Sequence, residues 1–198
     1  MACDGCLHSM FEIRQMPVAG CVELRPTMYQ DERGRFVKTV HTDWFARHGL
    51  SADFREQFYS ESRRDVVRGL HFQTPPHHQA KLVYCPHGAI LDAVVDLRVG
   101  SATFQKHAAV RLDGQTGNML YIPAGLAHGF LTLSESALVV YNVTSVHAPA
   151  HDSGILWNSA GIAWPVTSPI VSARDAAFPA LADFSSPFTV EATTGETV

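Results

Sequence analysis

Short apolar runs, rich in β-branched and aliphatic residues, alternate with turn residues through the middle of this chain. We predict strands over residues 66–72, 81–85, 90–97, 108–112, 119–122, 130–133 and 137–144. Clusters of proline and glycine separate several of them, for example Pro86-His87-Gly88 and Pro123-Ala124-Gly125. Short strands at such regular spacing, with turn signals between them, are typical of an all-β barrel or sandwich.

Helical patterns are confined to two short segments that flank the predicted strands. Residues 42–48 begin with Thr42, a good capping residue, and stop before Gly49. A second helical segment is predicted within residues 173–181. No repeat divides the sequence, so we predict one domain over residues 1–198, with a barrel core at about 20–165 and a C-terminal extension over 166–198.

Composition and charge narrow the choice of function. Of the 198 residues, 46% are hydrophobic and 17% are charged, as in ordinary globular proteins. The net charge is −4 and no cluster of lysine and arginine stands out, so we expect no binding of nucleic acid. No apolar run approaches the roughly 20 residues of a membrane-spanning helix. Because the N-terminus also lacks the regions of a secretory signal, we predict a cytoplasmic protein without membrane contact.

Cysteines and histidines could mark a metal site. Cys3 and Cys6 form a C-x-x-C pair, but no second pair follows at zinc-ribbon spacing, so we interpret them as reduced residues of a tail. Cys85 lies in an apolar run and is interpreted as a core residue. Four of the eleven histidines are interpreted as surface residues: His77, His78, His87 and His107.

A metal site in a barrel needs ligands that converge from neighbouring strands, typically two histidines one residue apart plus a carboxylate. His71 is followed by Gln73 where the second histidine would be required, and the next strand brings Lys81, a cation. We therefore predict no bound metal. Because no G-x-G-x-x-G fingerprint is present either, we predict no other cofactor.

Several polar side chains nevertheless interrupt the predicted strands. Arg68 and His71 flank Gly69, a residue type that permits close approach of a ligand. His128 stands between a tight turn and an apolar strand, and Tyr141 ends an apolar run, where a buried phenol needs a partner. Lone polar residues on strands usually face solvent, and Tyr141 could be an ordinary core tyrosine. The pattern alone leaves both interpretations open.

Motifs along most of the chain decide between them. Over roughly residues 29–181 the sequence resembles the dTDP-4-dehydrorhamnose 3,5-epimerase family. The matching motifs are DERG at 31–34, VRGLHFQ at 67–73, KLV at 81–83, LDAVVDLR at 91–98, GSATF at 100–104, IPAGLAHGF at 122–130, Tyr141, GILWN at 154–158 and VSARD at 171–175. The resemblance implies an all-β jelly-roll barrel, a cupin-like double-stranded β-helix with short flanking helices. It also implies a homodimer formed through exchanged edge strands, and a nucleotide-sugar substrate.

The resemblance assigns roles to individual residues. In the catalytic set, His71 matches the family's base and Asp175 matches the carboxylate that orients it. Tyr141 matches the acid on the opposite face of the sugar, and Lys81 matches the cation near the C4 oxygen. In the substrate-binding set, a diphosphate contact matches Arg68, a nucleotide contact from the same or the partner subunit matches Arg33, and pocket positions match Gln73, His128 and Asp92. Without the resemblance, Asp175 would be interpreted as a solvated carboxylate at a helix start.

These residue types suit epimerisation beside a ketone. A ketone at C4 acidifies the C–H bonds at C3 and C5, because loss of either proton gives an enolate. A histidine is suited to remove that proton near neutral pH, and a carboxylate fixes its tautomer. A lysine stabilises the charge on the C4 oxygen, and a tyrosine on the other face completes the inversion.

The sequence departs from the family in its recognition residues. The family usually carries Q-x-N-x-S-x-S before the arginine motif, whereas residues 56–62 read EQFYSES, with Glu56 and Phe58 at the Gln and Asn positions. The residue after Tyr141 is Asn142 instead of lysine, and the aromatic pair downstream is Val146 and His147. We therefore hypothesise that the nucleotide or the sugar differs, a CDP- or GDP-linked 4-keto sugar being one alternative.

Two interpretations from different classes of protein compete with epimerisation. A non-catalytic sugar-nucleotide binding barrel would not need the base and the acid together. A metal-dependent cupin isomerase or oxygenase would need metal ligands that the sequence lacks. Within the favoured class, inversion could occur at C3, at C5 or at both.

Overall fold

The computed structural model describes residues 10–190. Its strands are β1 Phe11–Gln15, β2 Val22–Pro26, β3 Met28–Asp31, β4 Gly34–Val37, β5 Glu56–Arg63, β6 Val67–Gln73, β7 Lys81–His87, β8 Ala89–Asp96, β9 His107–Asp113, β10 Met119–Ile122, β11 Leu126–Thr132, β12 Ser136–Val143 and β13 Asp152–Gly154. The helices are α1 Thr42–Arg47 and α2 Ala173–Ala176, followed by a 3₁₀ turn, Leu181–Asp183. Cys3 and Cys6, the predicted C-x-x-C tail, lie outside the described residues. None of the described helices is long and apolar enough to cross a membrane.

Two antiparallel sheets form the barrel, and the predicted all-β jelly roll is confirmed. One sheet has six strands in the order β1-β2-β10-β7-β12-β5, and the other has five in the order β13-β6-β11-β8-β9. A separate hairpin joins β3 and β4. Apolar residues of both sheets meet in the main core, among them Val83, Leu120 and Val139 from the first sheet and Val94 and Phe130 from the second.

Helix α1 and the C-terminal segment cover the outer faces of the two sheets. Trp44 and Phe45 of α1 pack against Leu82 and Tyr121 of the six-stranded sheet. Phe188, which is fully buried, packs with Leu70, Phe72 and Val95 on the outside of the five-stranded sheet. The barrel therefore has an apolar cover on each side, as burial of amphipathic layers requires.

The flanking helices differ from prediction at their ends. The N-cap of α1 is His41, whose ring nitrogen accepts the amide of Trp44, and not Thr42, which is the first helical residue. Helix α1 ends at Arg47, one residue earlier than predicted. Within residues 173–181, only the single turn of α2 is α-helical, and Ser172 caps it by accepting the amide of Asp175.

All seven predicted strands are present, but six others were missed. Strand β5 has a polar sequence with only Ser62 buried, because it forms the edge of its sheet. Strands β3 and β4 lie in an exposed hairpin, and neither contains a buried residue. Strand β11 begins at Leu126, four residues before the predicted start, so His128 lies inside a fully buried strand.

Two glycines bring β6 and β11 unusually close. Gly69 has φ +130°, and a Cβ atom there would lie 2.5 Å from the Cα of Gly129. A Cβ atom at Gly129 would lie 2.6 Å from the carbonyl oxygen of Arg68. A neighbouring strand therefore makes a close approach at Gly69. It sets the register in which His71 and His128 lie opposite each other.

Candidate active site

A histidine–carboxylate pair joins strand β6 to helix α2. The Nε2 atom of His71 lies 2.8 Å from Oδ1 of Asp175, and Oδ2 of Asp175 accepts the amide of Gly69 at 3.0 Å. Asp175 stands at a helix start, as the sequence suggests, yet only 4% of it is exposed. Burial would raise the pKa of Asp175, but the hydrogen bond and charge of His71 and the Gly69 amide outweigh it and lower the pKa. Asp175 is therefore a carboxylate at neutral pH, and it fixes the orientation of the imidazole.

A second histidine–carboxylate pair lies beside the first. Nε2 of His128 on β11 lies 2.8 Å from Oδ1 of Asp92 on β8, and both residues are buried. Burial lowers the pKa of His128, although the charge of Asp92 and its hydrogen bond oppose the shift. The imidazole of His128 is therefore neutral at physiological pH. Asp92 lies behind His128 and does not itself line the cavity.

Lys81 supplies a buried cation at the start of β7. Its Nζ atom donates to the carbonyl oxygen of His71 at 3.3 Å, and only 7% of the residue is exposed. Burial lowers the pKa of Lys81 to about 8, while the charges of Asp152 and Asp92 act in the opposite direction. A buried ammonium that is not fully paired costs several kcal/mol of solvation free energy. This lysine is therefore ready to bind a negatively charged oxygen.

Tyr141 on β12 presents a buried phenol next to these groups. Its ring stacks on Phe58 at 4.8 Å and 18° and meets His128 edge-on at 6.0 Å. Its hydroxyl lies 3.5 Å from Oγ of Ser60. Burial raises the pKa of Tyr141 well above its ordinary value, although the Ser60 hydroxyl opposes the shift. The phenol is therefore protonated at neutral pH and can act as a proton donor.

Four of the side chains described above, His71, Lys81, His128 and Tyr141, line one cavity of about 350 Å³. Two arginines also line it: Arg68 donates to Oγ of Ser62 at 2.8 Å, and Arg174 pairs with Asp152 at 2.7 Å. The described residues contain no group of three or more histidine, cysteine or carboxylate side chains that could hold a metal ion. The cavity combines a base, an acid and three cations, which suits proton transfer on an anionic substrate.

Comparison with known proteins agrees with this arrangement. The sequence model of the dTDP-4-dehydrorhamnose 3,5-epimerase family matches residues 15–183. The chain belongs to this family. The enzyme of that name from Salmonella typhimurium is 41% identical over 162 residues, which are 80% of this chain and 88% of the relative. The prediction that the chain is an epimerase, an isomerase acting on sugars, is thereby confirmed.

Solved structures of family members superpose on most of the chain. The epimerase of Legionella pneumophila, in complex with dTDP-4-keto-L-rhamnose, has a TM-score of 0.86 at 31% identity and covers 90% of this chain and 98% of its own. A 3′-monoepimerase of Streptomyces bikiniensis, in complex with dTDP-quinovose, has a TM-score of 0.80 at 34% identity, with coverage of 84% and 86%. The chain is thus similar both to a 3,5-epimerase and to a monoepimerase.

Within this epimerase, three predicted binding residues make contacts that the sequence does not reveal. Glu56 uses Oε2 to accept the amide of His147 at 2.6 Å. The Gln73 side chain donates to the carbonyl oxygen of His77 and accepts the amide of Ala148, so it ties two loops together beside the cavity. Phe58 lies against Tyr141, directly opposite it in the β5–β12 register.

Arg33 is not brought to the cavity of its own chain. It lies in the turn between β3 and β4, its side chain is 85% exposed, and it pairs with Asp31. Of the four histidines interpreted as surface residues, His87 and His107 are exposed, whereas His77 and His78 are half-buried.

The sequence assigns no individual role to three residues that line the cavity, Gln79, Asp152 and Arg174. Ser60 and His147 also line it, and both stand at positions where the family's recognition residues are expected. The sequence does contain an indication of Arg174, because this cation immediately precedes Asp175 in one of the matching motifs. Gln79 comes from a loop and Asp152 from β13, an edge strand, where no residue pattern predicts which side chains turn inward.

Proposed function

We propose that this epimerase inverts C3, C5 or both in a nucleoside-diphosphate 4-keto-6-deoxyhexose. The observation that carries the proposal is the convergence of the oriented His71–Asp175 pair and the protonated phenol of Tyr141 on one cavity. A binding protein would need neither a base nor an acid. The ligands named for the Legionella and Streptomyces relatives, both dTDP sugars, support a substrate of this class.

The reaction begins when the unprotonated nitrogen of His71 takes a proton from the carbon next to the ketone. The electron pair of the C–H bond forms the C=C bond of an enolate, and negative charge moves to the C4 oxygen. Lys81 stabilises this charge, with the neutral imidazole of His128 beside it in the cavity. Asp175 stabilises the imidazolium that forms on His71.

Inversion is completed when Tyr141 donates its phenol proton to the opposite face of the same carbon. The phenolate then regains a proton from solvent, and the imidazolium of His71 loses one. The ketone itself supplies the acidity of the C–H bond, so the chemistry requires no cofactor. Arg68 and Arg174, the two cations at the mouth of the cavity, would hold the diphosphate.

Glu56 favours a second candidate substrate within the same class. A carboxylate is unfavourable next to a diphosphate unless it accepts a hydrogen bond from the base or ribose. Oε2 of Glu56 is occupied by the His147 amide, which leaves Oε1 to accept from a ligand. Cytosine and guanine carry an exocyclic amino donor that thymine lacks, so a CDP- or GDP-linked 4-keto sugar is the alternative substrate.

We also propose that the chain, as one epimerase domain over residues 1–198, works as a homodimer. The β3–β4 hairpin exposes Tyr29 and Phe36, 63% and 61% accessible, and carries Arg33 away from its own cavity. Docking on a second subunit would bury these aromatic rings and bring Arg33 to the partner's nucleotide site. A cytoplasmic location and the absence of nucleic-acid and membrane partners stay predictions.

The test is proton NMR of dTDP-4-keto-6-deoxyglucose with the enzyme in D₂O. Loss of both the C3–H and C5–H signals would support double epimerisation, and loss of one would identify a monoepimerase. If neither signal decays, the same experiment is made with the CDP- and GDP-linked sugars. Failure with all three nucleotides would refute the proposed function.

The Tyr141→Phe variant sharpens this test, because it removes the acid and leaves the base. We expect deuterium exchange to continue while formation of the inverted product falls by about 10² or more. Equal loss of exchange and product would show that Tyr141 has another role.

A further inference from the structure

The phenol of Tyr141 is held by the rings around it more than by its own hydrogen bond. Within residues 10–190 its hydroxyl has one partner, Oγ of Ser60 at 3.5 Å, which is at the outer limit for a hydrogen bond. In contrast, the Phe58 ring lies nearly parallel to it at 4.8 Å, and the His128 ring meets it at 74°. Two ring contacts at nearly right angles restrict rotation of the tyrosine ring about its Cβ–Cγ bond.

The stacking of Phe58 on Tyr141 is built into the sheet. The two residues are direct partners in the antiparallel β5–β12 register, so their side chains rise from the same face of the sheet next to each other. Strand β5 is the edge strand, and no strand of this sheet lies beyond it in the described chain. Phe58 therefore stands between the phenol and solvent: it is 44% exposed, whereas Tyr141 is 8% exposed.

From this geometry we infer that Phe58 is a positioning residue, which sets how often the enolate is reprotonated by Tyr141 with inversion and how often by His71 without it. The inference rests on the proposed function and deepens it. The enolate has two fates, because the imidazolium can return a proton to the original face and the phenol can deliver one to the other face. Only the second depends on the position of the phenol, so a change at Phe58 alters the ratio of the two.

Phe58 also keeps water away from the phenol. Burial raises the pKa of Tyr141 above its ordinary value. Without the aromatic ring at position 58, water would reach the phenol from the open edge of the sheet. Its pKa would then fall towards the ordinary value for tyrosine.

The first experiment measures exchange and inversion together. For Phe58→Leu and Phe58→Asn, we expect the ratio of deuterium exchange to inverted product to rise roughly three- to tenfold, in proportion to the strength of a stacked aromatic pair. The exchange rate itself should fall less than the rate of product formation. Phe58→Tyr retains the ring and should retain the wild-type ratio.

Tyr59→Leu is the matched control, because Tyr59 is the adjacent aromatic residue of β5, is 71% exposed and does not line the cavity. It should leave the ratio unchanged. An unchanged ratio in Phe58→Leu would overturn the inference. A parallel fall of exchange and product would also overturn it, because that result would mean that Phe58 serves substrate binding or the fold.

A second experiment needs no substrate and therefore separates failure of this inference from failure of the proposed function. The protein is labelled with fluorotyrosine, and Tyr141→Phe assigns the resonance of Tyr141 in the fluorine NMR spectrum. We expect Phe58→Leu to shift this resonance and to lower the pH at which it titrates, whereas Tyr59→Leu should do neither. An unmoved resonance with an unmoved titration would refute the positioning role, whatever the wild-type enzyme turns over.

Discussion

The interior of the barrel and its rim follow different rules. In the interior, Lys81, Asp92, His128 and Asp175 are each no more than 7% exposed, and each is held by a hydrogen bond to a backbone or side-chain group. At the rim, Glu56 and Phe58 stand on an edge strand and are partly exposed, and His147 belongs to a loop. These interior residues match the motifs of the family, whereas Glu56, Phe58 and His147 depart from them at the rim. One further departure, Asn142, is buried, and its side-chain oxygen accepts a hydrogen bond from Gln57. Exchange of a buried polar residue leaves a partner unsatisfied unless that partner changes too, whereas a residue at the rim can change alone.

The largest effect on activity is expected when the proposed general base, His71, is substituted. His71→Ala should lower both deuterium exchange and product formation by about 10²–10⁴, because it removes the proposed general base. Asp175→Asn should lower the exchange rate as well, since an amide no longer stabilises the imidazolium. His87→Ala is the matched control, because His87 is exposed and outside the cavity. Undiminished exchange in His71→Ala would remove this residue from the mechanism.

The same contrast explains how much could be predicted from the sequence. The central strands were predicted because their apolar runs are long and their turns contain proline and glycine. Strand β5 was missed, since only Ser62 of its eight residues is buried. The burial of Asp175 could not be derived from its local pattern, because the pattern shows a helix start and not the strand that packs beside it. Resemblance to the family placed it in the site, while the contacts of Glu56 and Phe58 needed the structure.

A smaller effect tests the interior through pH. Burial lowers the pKa of Lys81 to about 8, so the amine is charged below that pH and neutral above it. A neutral amine cannot stabilise the enolate, and kcat/KM for the free enzyme should therefore fall about tenfold per pH unit above pH 8. The Lys81→Arg variant keeps its positive charge at high pH, so its kcat/KM should not fall above pH 8, even though its maximal rate is lower.

The control for this profile is Lys106→Arg, at an exposed position that does not line the cavity. It should show the same fall of kcat/KM above pH 8 as the wild type. If Lys81→Arg shows this fall unchanged, another group titrates, and the role given to Lys81 would have to be withdrawn.

The smallest effect is expected at the rim, where Glu56→Gln exchanges a carboxylate for an amide of the same size. The amide oxygen can still accept the His147 N–H, so the fold should be unchanged, but the second position becomes a donor. Calorimetric titration with dTDP, CDP and GDP should therefore show a shift towards dTDP of up to about tenfold, the worth of one hydrogen bond at a partly exposed position. Glu61→Gln changes an exposed carboxylate on the same strand and should leave all three affinities unchanged.

If wild-type protein already prefers dTDP clearly, or if the order of affinity for the three nucleotides is the same in Glu56→Gln, the rim does not select the nucleotide. In that case Phe58, through its contact with Tyr141, would be the altered residue of β5 that influences the reaction, by its effect on the proton donor.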